Sequence, residues 1–402
     1  MRVASSVVLV GGVLLASATA RSQDVVTEAD FLDGLRPDHP ALRAVGEDLA
    51  RAAAARRRAV MLANPRLEFS REQPEDSPRQ DTWTMAWTPP FDGRRGLARD
   101  AAEAGVLAAR ERTAAERARI RRDLRKAYAD WSLAHERHEI LARHLAIAEE
   151  LADKSRLRAE AGEESGLAAG RLALTAQEVR TQLAAARTDY VRAEAVALGW
   201  RPDLAGRPPS LPALPPAPAS LDSARRPELR ALELEARQAA LEARLAGRFW
   251  TTPELQAGWQ RLEAAGGAQD GPVLGLAWTV PLFDRNQAGR LEAVRRKEIA
   301  EARLALAAGR AEHELKGVIE AYGMAARAAD DASRTAAGAE RLVDSAAASF
   351  RAGEATLTDL LDTLRAVREA RLGALELLGN ALETHRELEL WASPSFTQGA
   401  RR

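Results

Sequence analysis

The sequence says nearly the same thing twice, about 191 residues apart. Ala86-Trp87-Thr88 returns as Ala277-Trp278-Thr279, and Ala161-Gly162-Glu163 returns as Ala352-Gly353-Glu354. Trp200, which closes the first unit, returns as Trp391. The offset holds along the whole unit, so the chain is a tandem duplication rather than a chance match of Ala-rich text. Each unit reads as helix, two strands, very long helix, tight turn, helix. Two such units suggest a hollow assembly more than an enzyme with one pocket.

Composition narrows the classes. The 402 residues carry a formal charge of zero, so no global field favours nucleic acid or an anionic surface. Aromatic content is 4%, with Ala, Leu, Arg and Glu dominant, as in long helices and coiled coils. No cysteine is present, which excludes disulfides, thiolate metal sites and thiol catalysis. The N-terminus reads as a secretory signal: Arg2, an apolar run from Val7 to Leu15, and Ala18-Thr19-Ala20 as an A-x-A cleavage site. That gives residues 1–20 as signal peptide, 21–200 as the first unit, 201–222 as a Pro-rich stiff linker, 223–392 as the second unit and 393–402 as a tail. No later segment approaches about 18 consecutive apolar residues, so any membrane passage is expected through strands.

Period-two alternation marks those strands, expected at about 66–72, 81–88, 254–262 and 273–280. Trp83, Met85 and Trp87 share one face; Thr82, Thr84 and Ala86 share the other. Leu255, Ala257 and Trp259 alternate with Gln256, Gly258 and Gln260, and Leu274, Leu276, Trp278 and Val280 with Gly275, Ala277 and Thr279. A water-facing sheet on a core is the plainer reading, but the rest of the chain is helix and offers little core for it. An outer-membrane strand needs an apolar face for lipid, a polar face for the lumen and aromatics at the interface. Trp83, Trp87, Trp259 and Trp278 are the candidate interface aromatics.

The long helices are expected at about 93–158 and 285–350, each roughly 100 Å at about 1.5 Å per residue. Ile120, Leu124, Ala127, Trp131, Ala134, His138, Leu141, Leu145, Ala148 and Ala152 form a heptad seam. A second seam runs through Leu133, Ile140, Ile147 and Leu151. A two-stranded coiled coil needs one seam; a stave touched from both sides needs two. Four strands cannot close a barrel, and an open edge in lipid leaves backbone groups unpaired at several kcal/mol each. The chain is therefore expected to self-associate. Three copies give twelve strands and room for a duct, whereas two give eight and a filled interior.

These residues carry a resemblance. Asn64-Pro65, the junctions Trp87-Thr88-Pro89-Pro90-Phe91-Asp92-Gly93 and Trp278-Thr279-Val280-Pro281-Leu282-Phe283-Asp284, and the run Phe350-Arg351-Ala352-Gly353-Glu354-Ala355-Thr356-Leu357-Thr358-Asp359-Leu360-Leu361-Asp362 are similar to TolC-like outer-membrane efflux proteins. The closest resemblance is to their CzcC-type heavy-metal branch, and it covers nearly the whole mature chain. It implies a mainly α channel-tunnel with a twelve-strand trimeric barrel in the outer membrane and a helical barrel in the periplasm of a Gram-negative bacterium. It also implies docking on a periplasmic adaptor and, through it, an inner-membrane RND-type pump. On this reading the chain is a passive exit duct and not an enzyme, needs no cofactor, binds no nucleic acid and contacts outer-membrane lipid. Heavy-metal cations are the expected cargo; drug efflux, protein secretion, or a pore-less periplasmic adaptor or scaffold are the rival readings. An N-terminal lipid anchor is excluded, since no Cys follows the signal.

Asp359 and Asp362, one face of a helix just after Gly353, match the acidic positions at the periplasmic entrance of TolC-like members. In a trimer they offer up to six carboxylates whose mutual repulsion raises their pKa and which attract cations. Ordinary N-terminal helix acids are the alternative. The first tip, Gly166-Leu167-Ala168-Ala169, brings no acid, so any ring is threefold. Gly162, Leu167, Arg351, Gly353 and Leu357 are candidate adaptor contacts, the two glycines in left-handed caps. His135, His138 and His144 could offer imidazoles to a metal, but His138 and His144 fall on the seams, where packing accounts for them. No nucleophile elbow, P-loop or zinc-protease motif is present.

Overall fold

The computed structural model describes residues 25–33, 39–73, 78–216, 221–223, 226–264 and 266–391. The expected signal peptide, the tail and part of the linker lie outside the described residues. In chain order the elements are α1 (Glu28–Asp33), α2 (Pro40–Val60), β1 (Arg66–Glu72), β2 (Arg79–Trp87), α3 (Arg94–Glu160), α4 (Gly166–Trp200), α5 (Pro227–Ala246), β3 (Glu254–Ala264), β4 (Gly267–Ala277), α6 (Gln287–Ala352) and α7 (Leu357–Glu389).

Two helices of 67 and 66 residues set the length of the molecule. Antiparallel to α3, α2 and α4 follow one another along one side. Val60 O accepts from Arg95 near the start of α3, and Tyr190 of α4 meets His135 and His138 farther along it. On the other side α5 and α7 follow one another between α3 and α6: Gln238 lies against Gly105, and Glu389 pairs with Arg125. The result is a slab four helices wide, with α2 and α4 at one edge and α6 at the other.

Both seams of α3 find partners. Leu141 of the first packs with Val179 and Ala186 of α4. Leu151 of the second packs with Leu360, Leu364 and Val367 of α7 and with Val343 of α6. Alanine is the commonest apolar residue of the core as a whole, which lets backbones approach closely, and Leu133 sits 3.2 Å from where a Cβ on Gly379 would stand. Trp131, Tyr128 and Phe31 are fully buried at mid-length and meet ring to ring, at 5.5 Å for Phe31–Tyr128 and 6.3 Å for Tyr128–Trp131.

The linker is more tied down than its proline content implies. It opens with a 3-10 turn, Pro202–Leu204, anchored by buried Arg201, whose guanidinium donates to the carbonyls of Asp30 and Phe31 at 2.7 Å each. Val26 then pairs with Pro209 as an isolated parallel bridge. Tyr128 of α3 and Tyr322 of α6 clamp the segment: the Tyr128 hydroxyl donates to Ser210 O at 2.6 Å and lies 2.8 Å from Val26 O, and the Tyr322 hydroxyl donates to Pro215 O. One tyrosine from each unit thus fixes the strap that joins them.

The four strands form one antiparallel sheet in the order β1-β2-β3-β4. The two units contribute adjacent hairpins, and the central ladder between them pairs Trp83 with Trp259. Strand β4 begins six residues before the expected position, because the Gly-rich text from Gly267 to Gly271 extends the hairpin rather than ending it. It also stops at Ala277, so Trp278 is not on the strand as expected but one residue beyond it.

Candidate functional site

Register decides what each sheet face can touch. One face carries Leu67, Phe69, Trp83, Met85, Trp87, Leu255, Ala257, Trp259, Pro272, Leu274 and Leu276. No described residue covers it: Leu274 is 84% exposed and Leu67 82%. Toward the hairpin turns the same face becomes ionic. Arg71 grips the Asp81 carboxylate with two hydrogen bonds of 2.7 and 3.0 Å, and Arg79 adds two more at 2.8 and 3.4 Å. The opposite face carries Glu68, Thr82, Thr84, Gln256 and Gln260 among small residues. Gly258 is required there, since a Cβ would stand 2.2 Å from Trp83 O.

The tryptophans occupy two levels. Trp83 and Trp259 sit toward the turns, with Phe69 5.3 Å from Trp83. Trp87 closes β2 and donates from its indole to Ala63 O at 3.2 Å. Trp278, past the end of β4, stacks on Trp250 at 5.8 Å and donates to Thr251 O at 3.0 Å. Below them Phe91 and Phe283 stand in the strand-to-helix junctions, 80% and 91% exposed. Sequence alternation missed these two because they lie outside the strands.

Among the described residues both edges of the sheet are unpaired, β1 from the first unit and β4 from the second. Pro272, which lacks an amide donor, sits on β4, an edge strand that tolerates it. Among the described residues no helix is long and apolar enough to cross a membrane, a statement about helices only.

At the other end the two tips share one construction. Gly162 and Gly353 adopt φ of 79° and 76°. Each closes a paired cap: Glu163 N–H donates to Arg158 O and Glu354 N–H to Ser349 O, both at 2.9 Å. Leu167 is exposed behind its N-cap Ser165. Arg351, Arg158, Leu157 and Phe350 line a cavity of about 350 Å³ between the tips. Leu357 is half-buried against the cluster that contains Leu360 and Leu364.

Asp359 and Asp362 are both exposed one turn apart. Asp359 has a local task that the acidic spacing did not reveal. Its carboxylate accepts from the Thr356 amide at 3.0 Å and hydroxyl at 2.6 Å, while Thr356 Oγ1 accepts from Asp359 N–H at 3.2 Å. This is a capping box, and the Thr-x-x-Asp spacing could have signalled it. The two Thr356 bonds hold the Asp359 carboxyl below its usual range. That is opposite to the rise expected from a ring of like charges, because within one chain the nearest groups are donors and not other carboxylates.

His135 and His138 lie 5.4 and 6.0 Å from the Tyr190 ring, and His144 is buried. Among the described residues no group of three or more His, Cys, Asp or Glu is arranged to hold a metal ion. Another cavity, of about 520 Å³, is a cleft between helices where Arg112 and Arg119 meet Glu228 and Glu235.

A four-strand sheet with one bare apolar face, above helices about 100 Å long, has close parallels among solved structures. The outer-membrane protein VceC of Vibrio cholerae superposes with a TM-score of 0.73 at 16% identity, over 91% of this chain and 96% of that one. CusC, whose structures describe transmembrane channel formation, gives 0.71 at 16% identity over 90% and 91%. The Campylobacter jejuni CmeC outer-membrane channel gives 0.73 at 12% identity over 90% and 85%.

The fold is that of the TolC-like outer-membrane efflux proteins.

Sequence comparison adds the nickel-cobalt-cadmium resistance protein NccC of Alcaligenes xylosoxydans xylosoxydans, 29% identical over 281 residues. The match takes in 65% of this chain and spans 61% of that relative's length. No family model matches the sequence.

Proposed function

We propose that this chain is the outer-membrane exit duct of a tripartite efflux system that expels heavy-metal cations. The observation that carries the reading is the sheet: one face bare and apolar, the other polar and small, both edges open. Water leaves such a face without a partner, whereas lipid covers it. The edges then have to be met by other copies. With every neighbour antiparallel and an even strand number, β4 of one copy meets β1 of the next in the same sense. Three copies supply twelve strands, enough for an open duct, and place α6 of each copy against α2 and α4 of the next. The bare residues of these edges fit that closure: Leu306, Met324 and Leu342 on α6, and Leu174 and Val191 on α4.

The metal cargo is supported by the similarity to NccC. The tips are the surfaces on which a periplasmic adaptor, linked to an inner-membrane RND-type pump, would dock through Gly162, Leu167, Arg351, Gly353 and Leu357. Asp359 and Asp362 form the threefold acidic entrance. A passive duct needs no catalytic group and no cofactor of its own. The test is expression in a host lacking its own metal-efflux channel, with the cognate adaptor and pump. Restored nickel, cobalt or cadmium tolerance, and a cross-linked trimer in the outer membrane, are expected. A water-extractable monomer that gives no conductance in planar bilayers overturns the reading.

A further inference from the structure

The two long helices begin with unequal charge balance. At the start of α3, Arg94 is paired with Asp92 at 3.8 Å and Arg99 with Asp100 at 2.8 Å. The same arginines recur at the duplication offset as Arg285 and Arg290, but the counterpart of Asp100 is Leu291. Among the described residues neither guanidinium of the second pair has an ion-pair partner. The nearby acids are engaged: Asp284 accepts from Asn286 N–H at 2.8 Å, and Glu292 pairs with Arg296.

Arg285 and Arg290 line one cavity of about 440 Å³ with Phe249, Leu291 and Val294, and no carboxylate lines it. Its apolar wall continues toward the sheet. Phe249 meets Trp250 at a tilt, 5.4 Å between ring centroids, Trp250 stacks on Trp278 at 5.8 Å, and Leu276 stands exposed on the strand above. The site is thus cationic at one end and apolar toward the bare sheet face.

We propose that this cavity binds an anionic phospholipid of the periplasmic leaflet. Arg285 and Arg290 hold the headgroup phosphate with charge-assisted hydrogen bonds, and the acyl chains lie along Trp250, Trp278 and Leu276. Planar guanidinium forks suit a phosphate, and an uncompensated pair beside an aromatic belt is the complement of an amphiphile with a negative head. The proposal rests on the outer-membrane reading above.

The test uses the full chain, purified in mild detergent and examined by native mass spectrometry with phosphatidylglycerol and, separately, phosphatidylethanolamine. Retention of phosphatidylglycerol is expected for the natural chain, and a roughly 30-fold loss for Arg285→Gln/Arg290→Gln. Leu291→Asp, which restores the neutral arrangement of the first unit while keeping both arginines, is expected to lose the lipid as well. Arg94→Gln/Arg99→Gln is expected to leave it bound. Equal retention of the two lipids, or unchanged binding in Leu291→Asp, overturns the proposal. Displacement by millimolar inorganic phosphate also overturns it, since the site then takes a free anion. Membrane fractionation of the same variants separates the two readings: an outer-membrane trimer indifferent to the lipid removes this inference alone, whereas absence from the outer membrane removes the duct.

Discussion

Leu274→Arg measures what the bare face of the sheet touches. Leu274 is 84% exposed on β4, opposite Ala257, with Pro272 toward the turns and Leu276 toward the helices. If lipid covers the face, an arginine there costs about 2–4 kcal/mol in each copy near mid-bilayer. At about 1.4 kcal/mol per decade this is roughly a 30- to 700-fold loss per copy, and about 6–12 kcal/mol for three copies acting independently. If water covers it, removing an exposed leucine costs almost nothing and improves solubility, so the sign reverses. Gln260→Arg on the opposite face is the control, because a lumen-facing charge is already solvated. The assay is the yield of heat-resistant trimer in outer membranes on semi-native gels. Leu274→Arg is expected to abolish trimer that Gln260→Arg retains. Equal yields from the two variants, or a more soluble Leu274→Arg monomer, would refute the assignment of faces.

Three further outcomes are expected. Asp359→Asn with Asp362→Asn weakens cation preference in planar bilayers while keeping an oxygen acceptor for the Thr356 cap; unchanged selectivity confines Asp359 to its capping role. Gly353→Ala forces a Cβ onto a φ of 76° and lowers stability by about 1 kcal/mol, read as a fall of a few degrees in the melting of the detergent-solubilised protein, whereas Gly166→Ala, in open space at a helical position, does not. Burial, with Arg125 and Arg386 nearby, holds the His385 imidazole down at about 4 from 6.5. The unfolded chain therefore binds the extra proton first. Stability is complete above about pH 6.5 and falls by up to about 3 kcal/mol as pH drops toward 4, and His385→Phe flattens that slope in a pH series of melts.

Much of the architecture was legible because it is periodic. Both α3 seams are followed to their partners, Leu141 to α4 and Leu151 to α7, since a heptad pattern reports burial directly. The strand faces were readable because a period of two separates Trp83 from Thr84 without tertiary knowledge. What escaped were contacts made by single residues far apart in sequence. The bridge between Val26 and Pro209, and the tyrosine clamps on the linker, leave no repeating signal. Short helix α1 was missed because six residues give too few turns for a pattern, although Thr27 and Asp30 form the same kind of cap as Thr356 and Asp359. The acids at the second tip were read for charge alone, while the hydrogen-bonding geometry of Asp359 gave it a structural duty. The unequal arginines at the helix starts become visible only when the ion pairs of Asp92 and Asp100 are set beside Leu291.

The strand order has a consequence for how such a ring could arise. Because the first unit supplies β1 and β2 and the second supplies β3 and β4, the junction of β2 with β3 already joins the end of one unit to the start of the other. In the proposed trimer, the meeting of β4 with a neighbour's β1 repeats that encounter between molecules. In that trimer three of the six joints lie within chains and three form by collision, so each newly made chain carries an internal rehearsal of the contact it must still find.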